Sequence, residues 1–105
     1  MKQLECSVWT NGSGSWGIRI LGGPQVRAAH FRRDLSPVIV EIDGRDYEFN
    51  VDKKSFWTKT CGELICVPVR AWKTRHGLRS GDHVRLRILE QYHRFRLEIG
   101  DTKDG

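Results

Sequence analysis

The chain has 105 residues, 38% of them hydrophobic, and a formal net charge of +5. This length suits one domain with a modest core, residues 1–105 with a polar tail over 101–105, and the composition argues against disorder. Its apolar runs are much shorter than the ~20 residues of a membrane span, and its first residues lack the apolar stretch of a secretory signal. We therefore expect an intracellular protein, cytoplasmic or nuclear.

Short alternating segments between turn residues predict about seven strands and one or two short helices. In a hairpin, Gly44 supplies the positive φ that a tight turn needs. In chain order we place strands at 4–10 and 16–21, a helical turn or loop at 25–33, the hairpin at 38–42 and 47–51, an irregular segment at 52–62, a strand at 63–67, a two-turn helix from Pro68, and a closing hairpin at 83–89 and 94–99.

The segment that joins the helix to the closing hairpin has the most specific pattern. Pro68 suits a first helical turn, and Gly77 suits the residue that ends a helix, with Leu78 folding back onto the last turn. Gly81 and Asp82 are typical of a tight turn. This order of elements often closes one end of a small barrel, so we predict an all-β pseudobarrel or double-split barrel, closed or partly open.

Pairing the apolar residues of the closing hairpin also predicts its outer face. If Leu86 lies opposite Leu97, then Arg85 lies opposite Glu98 and Arg87 opposite Arg96. The first of these pairs is compensating and the second is repulsive. We therefore expect a basic sheet face that is partly explained as an ordinary solvated surface.

The charge is unevenly distributed along the chain. Residues 1–52 have a net charge of −1, residues 53–96 of +8 and residues 97–105 of −2. Such segregation favours a polyanionic partner. A generally basic composition without any ligand is the alternative.

No catalytic or metal site is evident. Cys6, Cys61 and Cys66 form an odd set that suits no disulfide framework, and the spacing of the last two is wider than in most structural zinc sites. No general acid–base pair and no phosphate-binding glycine loop are visible. We expect a non-enzymatic protein without a metal or cofactor.

Two basic segments, residues 22–36 and 50–62, are the best candidates for a functional surface. Cations, hydroxyl groups and an aromatic side chain together suit a phosphate backbone with bases nearby. We expect Phe56 to plug the end of the barrel. The predicted phosphate contacts are Arg27, Arg32, Arg33, Lys53, Lys54 and Lys59, and the predicted contacts near bases are Trp57 and His30.

About four-fifths of the chain resembles the plant-type DNA-binding pseudobarrel domain of auxin- and abscisic-acid-response transcription factors. The matching residues are Trp16-Gly17-Ile18-Arg19-Ile20, Phe31, the hairpin 38–51, Trp72, Gly77-Leu78-Arg79-Ser80-Gly81-Asp82 and Phe95-Arg96-Leu97-Glu98-Ile99. The closing motif is also similar to AbrB-type regulators and to small bacterial double-split barrels. In the plant-type family two loops grip the DNA major groove, and by position they correspond to the two basic segments.

We therefore expect a module that binds duplex DNA, as a monomer or a weak homodimer, without a membrane partner. The alternative is a barrel that binds a protein or a small ligand and has no nucleic-acid partner. Fold resemblance alone does not decide between them.

Overall fold

The computed structural model describes residues 3–10, 12, 14, 16–58, 62–65 and 67–99. The strands are β1 (Gln3–Thr10), β2 (Trp16–Ile20), β3 (Val38–Ile42), β4 (Arg45–Phe49), β5 (Gly62–Ile65), β6 (His83–Glu90) and β7 (Arg94–Ile99). The helices are α1 (Pro24–His30), α2 (Lys54–Thr58) and α3 (Val67–Arg75), and a 3-10 turn covers Arg33–Leu35.

The strands form one sheet in the order β4-β3-β7-β6-β1-β2-β5. All neighbours are antiparallel except β3 and β7, which are parallel. The predicted register of the closing hairpin is confirmed, because Leu86 pairs with Leu97 and Arg85 with Glu98. A bulge after Ile88 then shifts the register by one residue, so that Glu90 lies opposite Arg94.

Alternation along the strands builds one core. Apolar residues at every second position point inward, and this period of two is what a half-buried strand requires. The buried core residues of the strands are Leu4, Cys6, Val8, Ile18, Ile20, Val38, Val40, Ile42, Phe49, Val84, Leu86, Phe95 and Leu97.

The sheet curls around this core. Helix α3 contacts both β2 and β3, although several strands separate these two in the sheet order. Helix α2 contacts β5, and α1 contacts α2. Among the described residues no ladder joins β4 to β5, so helices rather than strand pairing cover the opening between the outer strands. The prediction of an all-β, barrel-like fold is confirmed.

Helix α3 and the turn after it close one end of the barrel, as predicted. The N–H of Leu78 donates to the carbonyl of Lys73, and that of Gly77 to Thr74, which is the Schellman pattern of a helix end. Asp82 accepts from the backbone N–H of Arg79 at 2.8 Å. The same turn is joined to β1, since Gly81 donates to the carbonyl of Val8.

The expectation of an irregular segment over 52–62 is wrong for residues 54–58, which form α2. Phe56 explains the helix: its N–H bonds the carbonyl of Lys53, and its buried ring lies 5.4 Å from that of Phe31, edge to face. A polar sequence with two adjacent aromatics carries no helical period, so tertiary contacts such as this one select the helix. The expected plugging role of Phe56 is confirmed.

The strand directions divide the barrel into two ends. Residues 3, 90–94 and 38 lie at one end together with α1 and α2, which we name the α1/α2 end. The turn at Asp43, the start of β6 and α3 lie at the opposite end, which we name the α3 end. The described residues of both basic segments therefore belong to the α1/α2 end.

Charged side chains cover the outer face of the sheet and pair with one another. Glu98 accepts from Arg87 at 2.9 Å and from Arg85 at 3.1 Å. The hydrogen bond from Arg87 is the main cause that holds the pKa of Glu98 below its ordinary value, and the hydrogen bond from Arg85 acts in the same direction. Partial burial opposes both. This shared carboxylate also relieves the repulsion expected where Arg87 lies opposite Arg96.

The lowered pKa of Glu98 predicts an acid-sensitive contribution to folding. Because the folded pKa lies below the unfolded one, the stabilisation is present above the unfolded pKa and is lost as the pH falls through the folded pKa. In Glu98→Gln, we expect the free energy of unfolding to fall less steeply than in the wild type between about pH 5 and about pH 3. Urea titrations across this pH range measure the free energy of unfolding. Glu48→Gln, at an exposed site without an ion pair among the described residues, is the control. Parallel profiles for wild type and Glu98→Gln would contradict the assignment.

A second prediction concerns the turn between β2 and α1, where Gly22 has φ +101°. A Cβ atom there would lie 2.5 Å from Cγ2 of Val26, so alanine meets both backbone strain and a steric clash. At Gly44, with φ +82°, a Cβ would meet nothing within 4 Å, so Gly44→Ala measures backbone strain alone. We expect Gly22→Ala to lower the free energy of unfolding by roughly 1–3 kcal/mol more than Gly44→Ala. Equal losses in chemical denaturation would show that Val26 moves aside freely.

Candidate nucleic-acid interface

The two basic segments lie side by side at the α1/α2 end. Nε of Arg33 donates to the carbonyl of Asp52 at 2.9 Å. Oγ of Ser36 accepts from the N–H of Val51 at 2.8 Å. These bonds join positions 19 and 15 residues apart, so the segments are fixed to each other and not merely near one another. The prediction that they meet at a common end agrees with this geometry.

Four of the predicted cations are exposed on this surface. Arg32 and Arg33 flank the start of the 3-10 turn, while Lys53 and Lys54 lie at the start of α2. We name these four residues the basic cluster. Asp34 and Asp52 are also exposed in these two segments. Acidic side chains therefore lie close in sequence to the cations of the basic cluster.

Arg27 is placed differently from the prediction. Its side chain is completely buried within α1, and its Cζ atom lies 5.9 Å from the centre of the Phe56 ring. A buried guanidinium is shielded from solvent and from a phosphate outside, and here it packs α1 against α2. This placement corrects the expectation that Arg27 contacts DNA. Arg27 instead supports the two segments from the interior of the protein.

Trp57 and His30 are half-buried. The indole N–H of Trp57 donates to the carbonyl of Val51 at 2.7 Å, and its ring meets Phe56 edge to face. Trp57 therefore helps to hold α2, and its indole N–H already has a partner. His30 ends α1, and its Nδ1 is buried without a hydrogen-bond partner in the described part of the chain. Lys59 lies outside the described residues.

The β6–β7 turn forms a third part of this end, which the sequence alone did not indicate. Gln91 donates to the carbonyl of Ala29 at 3.0 Å. The ring of Tyr92 lies below Arg32, with 5.9 Å between the guanidinium carbon and the ring centre. Knowledge that β3 pairs with β7 would have placed this turn beside the start of β3, because parallel pairing brings both strand starts together.

The four arginines of β6 and β7 are paired with carboxylates within the protein. Besides the two that share Glu98, Arg94 pairs with Asp46 at 3.2 Å and Arg96 with Glu41 at 3.1 Å. The segregated positive charge of the second half of the chain is therefore largely balanced on the sheet by acidic residues of β3, β4 and β7.

The α3 end also carries cations, and some of them have partners within the protein. Asp43 accepts from Arg75 at 2.6 Å and contacts His76 at 3.2 Å. The Arg75 hydrogen bond is the main cause that lowers the pKa of Asp43. Lys73 lies 4.0 Å from the centre of the Trp16 ring. Arg70 and Arg79 are exposed at this end and offer a matched comparison for the basic cluster.

The described residues contain no group of three or more potential metal ligands. Cys6 is buried, and burial raises the pKa of its thiol to about 12, so it is not a ready nucleophile. Cys61 and Cys66, the candidates for a thiol or zinc site, lie outside the described residues.

The chemistry of the α1/α2 end is that of polar recognition: exposed ammonium and guanidinium donors on a surface held by buried aromatic rings. No helix in the described part of the chain is long and apolar enough to cross a membrane. No family model, no curated protein and no solved structure matches this chain.

Proposed function

We propose that the protein binds duplex DNA through the α1/α2 end. The basic cluster contacts the DNA from two segments at once, and the β6–β7 turn borders it. The observation that carries the proposal is the bond from Arg33 to the carbonyl of Asp52, which fixes cations of both segments on one surface.

The distribution of ion pairs supports this choice of surface. The four arginines of β6 and β7 already have carboxylate partners, so a polyanion would have to compete with them. Arg33 and Lys53 have no ion-pair partner within the described residues. Cations without an acidic partner release the condensed counterions of DNA most effectively, which favours binding there.

The resemblance to the plant-type pseudobarrel family supports the proposal independently, because its two DNA-gripping loops correspond to the same segments. The pseudobarrel assignment is itself part of this proposal. A role in transcription regulation, in the cytoplasm or nucleus, would follow from it. Arg32, Arg33, Lys53 and Lys54 are the contacts we propose, and Arg27 acts beneath them.

Charge reversal at the basic cluster tests the proposal. In Lys53→Glu/Lys54→Glu, we expect the affinity for a mixed-sequence duplex to fall on the order of tenfold at low salt, because two phosphate contacts become repulsive. The slope of log affinity against log salt should become less negative by about 0.9 for each phosphate that the variant no longer neutralises. Fluorescence anisotropy of a labelled duplex over a salt series measures both quantities.

The matched control is Arg70→Glu/Arg79→Glu, which changes the net charge equally at the opposite end of the barrel. We expect this variant to bind within about twofold of the wild type near physiological salt, where the Debye length is about 8 Å. An equal loss in both variants would mean that only net charge matters, and a larger loss in the control would assign DNA to the α3 end. Absence of binding by the wild type at low salt would favour a protein or small-ligand partner instead.

A further inference from the structure

Arg32 differs from the other cations of the basic cluster in how its guanidinium is held. Its Nε and Nη2 donate to the two carboxylate oxygens of Asp34, at 3.2 and 2.9 Å. This bidentate contact occupies one side of the planar fork. The end-on edge, formed by Nη1 and the second proton of Nη2, has no hydrogen-bond partner among the residues that the structure describes. The Arg32 side chain is 53% exposed.

Tyr92 restrains the same group from a second direction. Its ring lies against the guanidinium, with 5.9 Å between the ring centre and Cζ. Tyr92 itself has φ +70°, a left-handed conformation that bulky residues rarely adopt. The turn in which it lies is bonded to α1 through Gln91. The bidentate contact to Asp34 therefore limits rotation of the guanidinium, and Tyr92 bounds the space on a second side of it.

The charge of Asp34 indicates what the end-on edge would bind. A phosphate placed there would be repelled by the neighbouring carboxylate, which offsets much of the attraction to Arg32. The edge of guanine in the major groove is uncharged and offers two acceptors, O6 and N7, to a bidentate arginine. A neutralised but oriented guanidinium suits such an acceptor pair better than it suits a phosphate.

We propose that Arg32 reads a guanine in the major groove, with Asp34 and Tyr92 as positioning residues. This assignment rests on the proposed DNA-binding function and refines it. Arg33 and Lys53 then supply sequence-independent attraction, while Arg32 supplies discrimination. The expectation that Arg32 contacts a phosphate is replaced by a base contact.

The test uses a library of duplexes with a randomised central segment, sequenced before and after one round of binding. The wild type should enrich guanine at one position by about tenfold, the range of one good bidentate contact. Arg32→Lys keeps the charge but loses the fork, so the enrichment should vanish while affinity for the unselected library stays within about twofold.

Asp34→Asn distinguishes a positioning role of Asp34 from an effect of its charge alone. Removing the carboxylate makes the net charge more positive, so we expect equal or tighter binding to the unselected library. At the same time the guanine enrichment should fall several-fold, because the guanidinium loses its bidentate partner. The control is Asp43→Asn at the α3 end, where Arg75 donates to a carboxylate through the same two nitrogens, Nε and Nη2. It should leave the enriched sequence unchanged.

Three results would overturn the inference while leaving DNA binding intact: wild-type binding without base preference, guanine enrichment retained in Arg32→Lys, or enrichment retained in Asp34→Asn. A wild type that binds no duplex at low salt would instead overturn the proposed function. Arg32 and Asp34 are exposed, so thermal melting of each variant should match the wild type and confirm that the fold is kept.

Discussion

Phe31 lies where the two basic segments meet the barrel, and their arrangement depends on its contacts. Its buried ring stacks on Phe95 of β7, with 4.9 Å between ring centres, and meets Phe56 of α2 edge to face at 5.4 Å. Phe31 follows α1 directly, so a single side chain connects both segments to the sheet. The hydrogen bond from Arg33 to the carbonyl of Asp52 joins the same two segments a second time.

The distribution of charge follows from this arrangement. Strands face solvent on one side, and neighbouring strands place arginine beside carboxylate, so the outer face of the sheet is largely compensated internally. The segments at the α1/α2 end have no neighbouring strand to supply acidic partners at regular spacing. Arg33 and Lys53 are consequently more available to a ligand, whereas Asp34 neutralises Arg32 locally.

Much of the fold could be predicted from local pattern. Period-two alternation fixes which face of a strand is buried, so pairing Leu86 with Leu97 also predicts the Arg85–Glu98 contact. Helix α3 ends as Gly77 indicated, because the Schellman bonds lie within six residues. Helix α2 could not be predicted, since its formation depends on Phe31, more than twenty residues earlier in the chain.

The candidate site shows the same division. The sequence by itself determined which segments are basic and, through turn and strand patterns, the barrel-like scaffold that carries them, because these properties arise from residues close together in the chain. Only the tertiary structure decided that Arg27 is buried and that Tyr92 lies against Arg32. Both depend on packing between segments distant in sequence, and a cation has the same sequence signature whether it faces solvent or an aromatic ring.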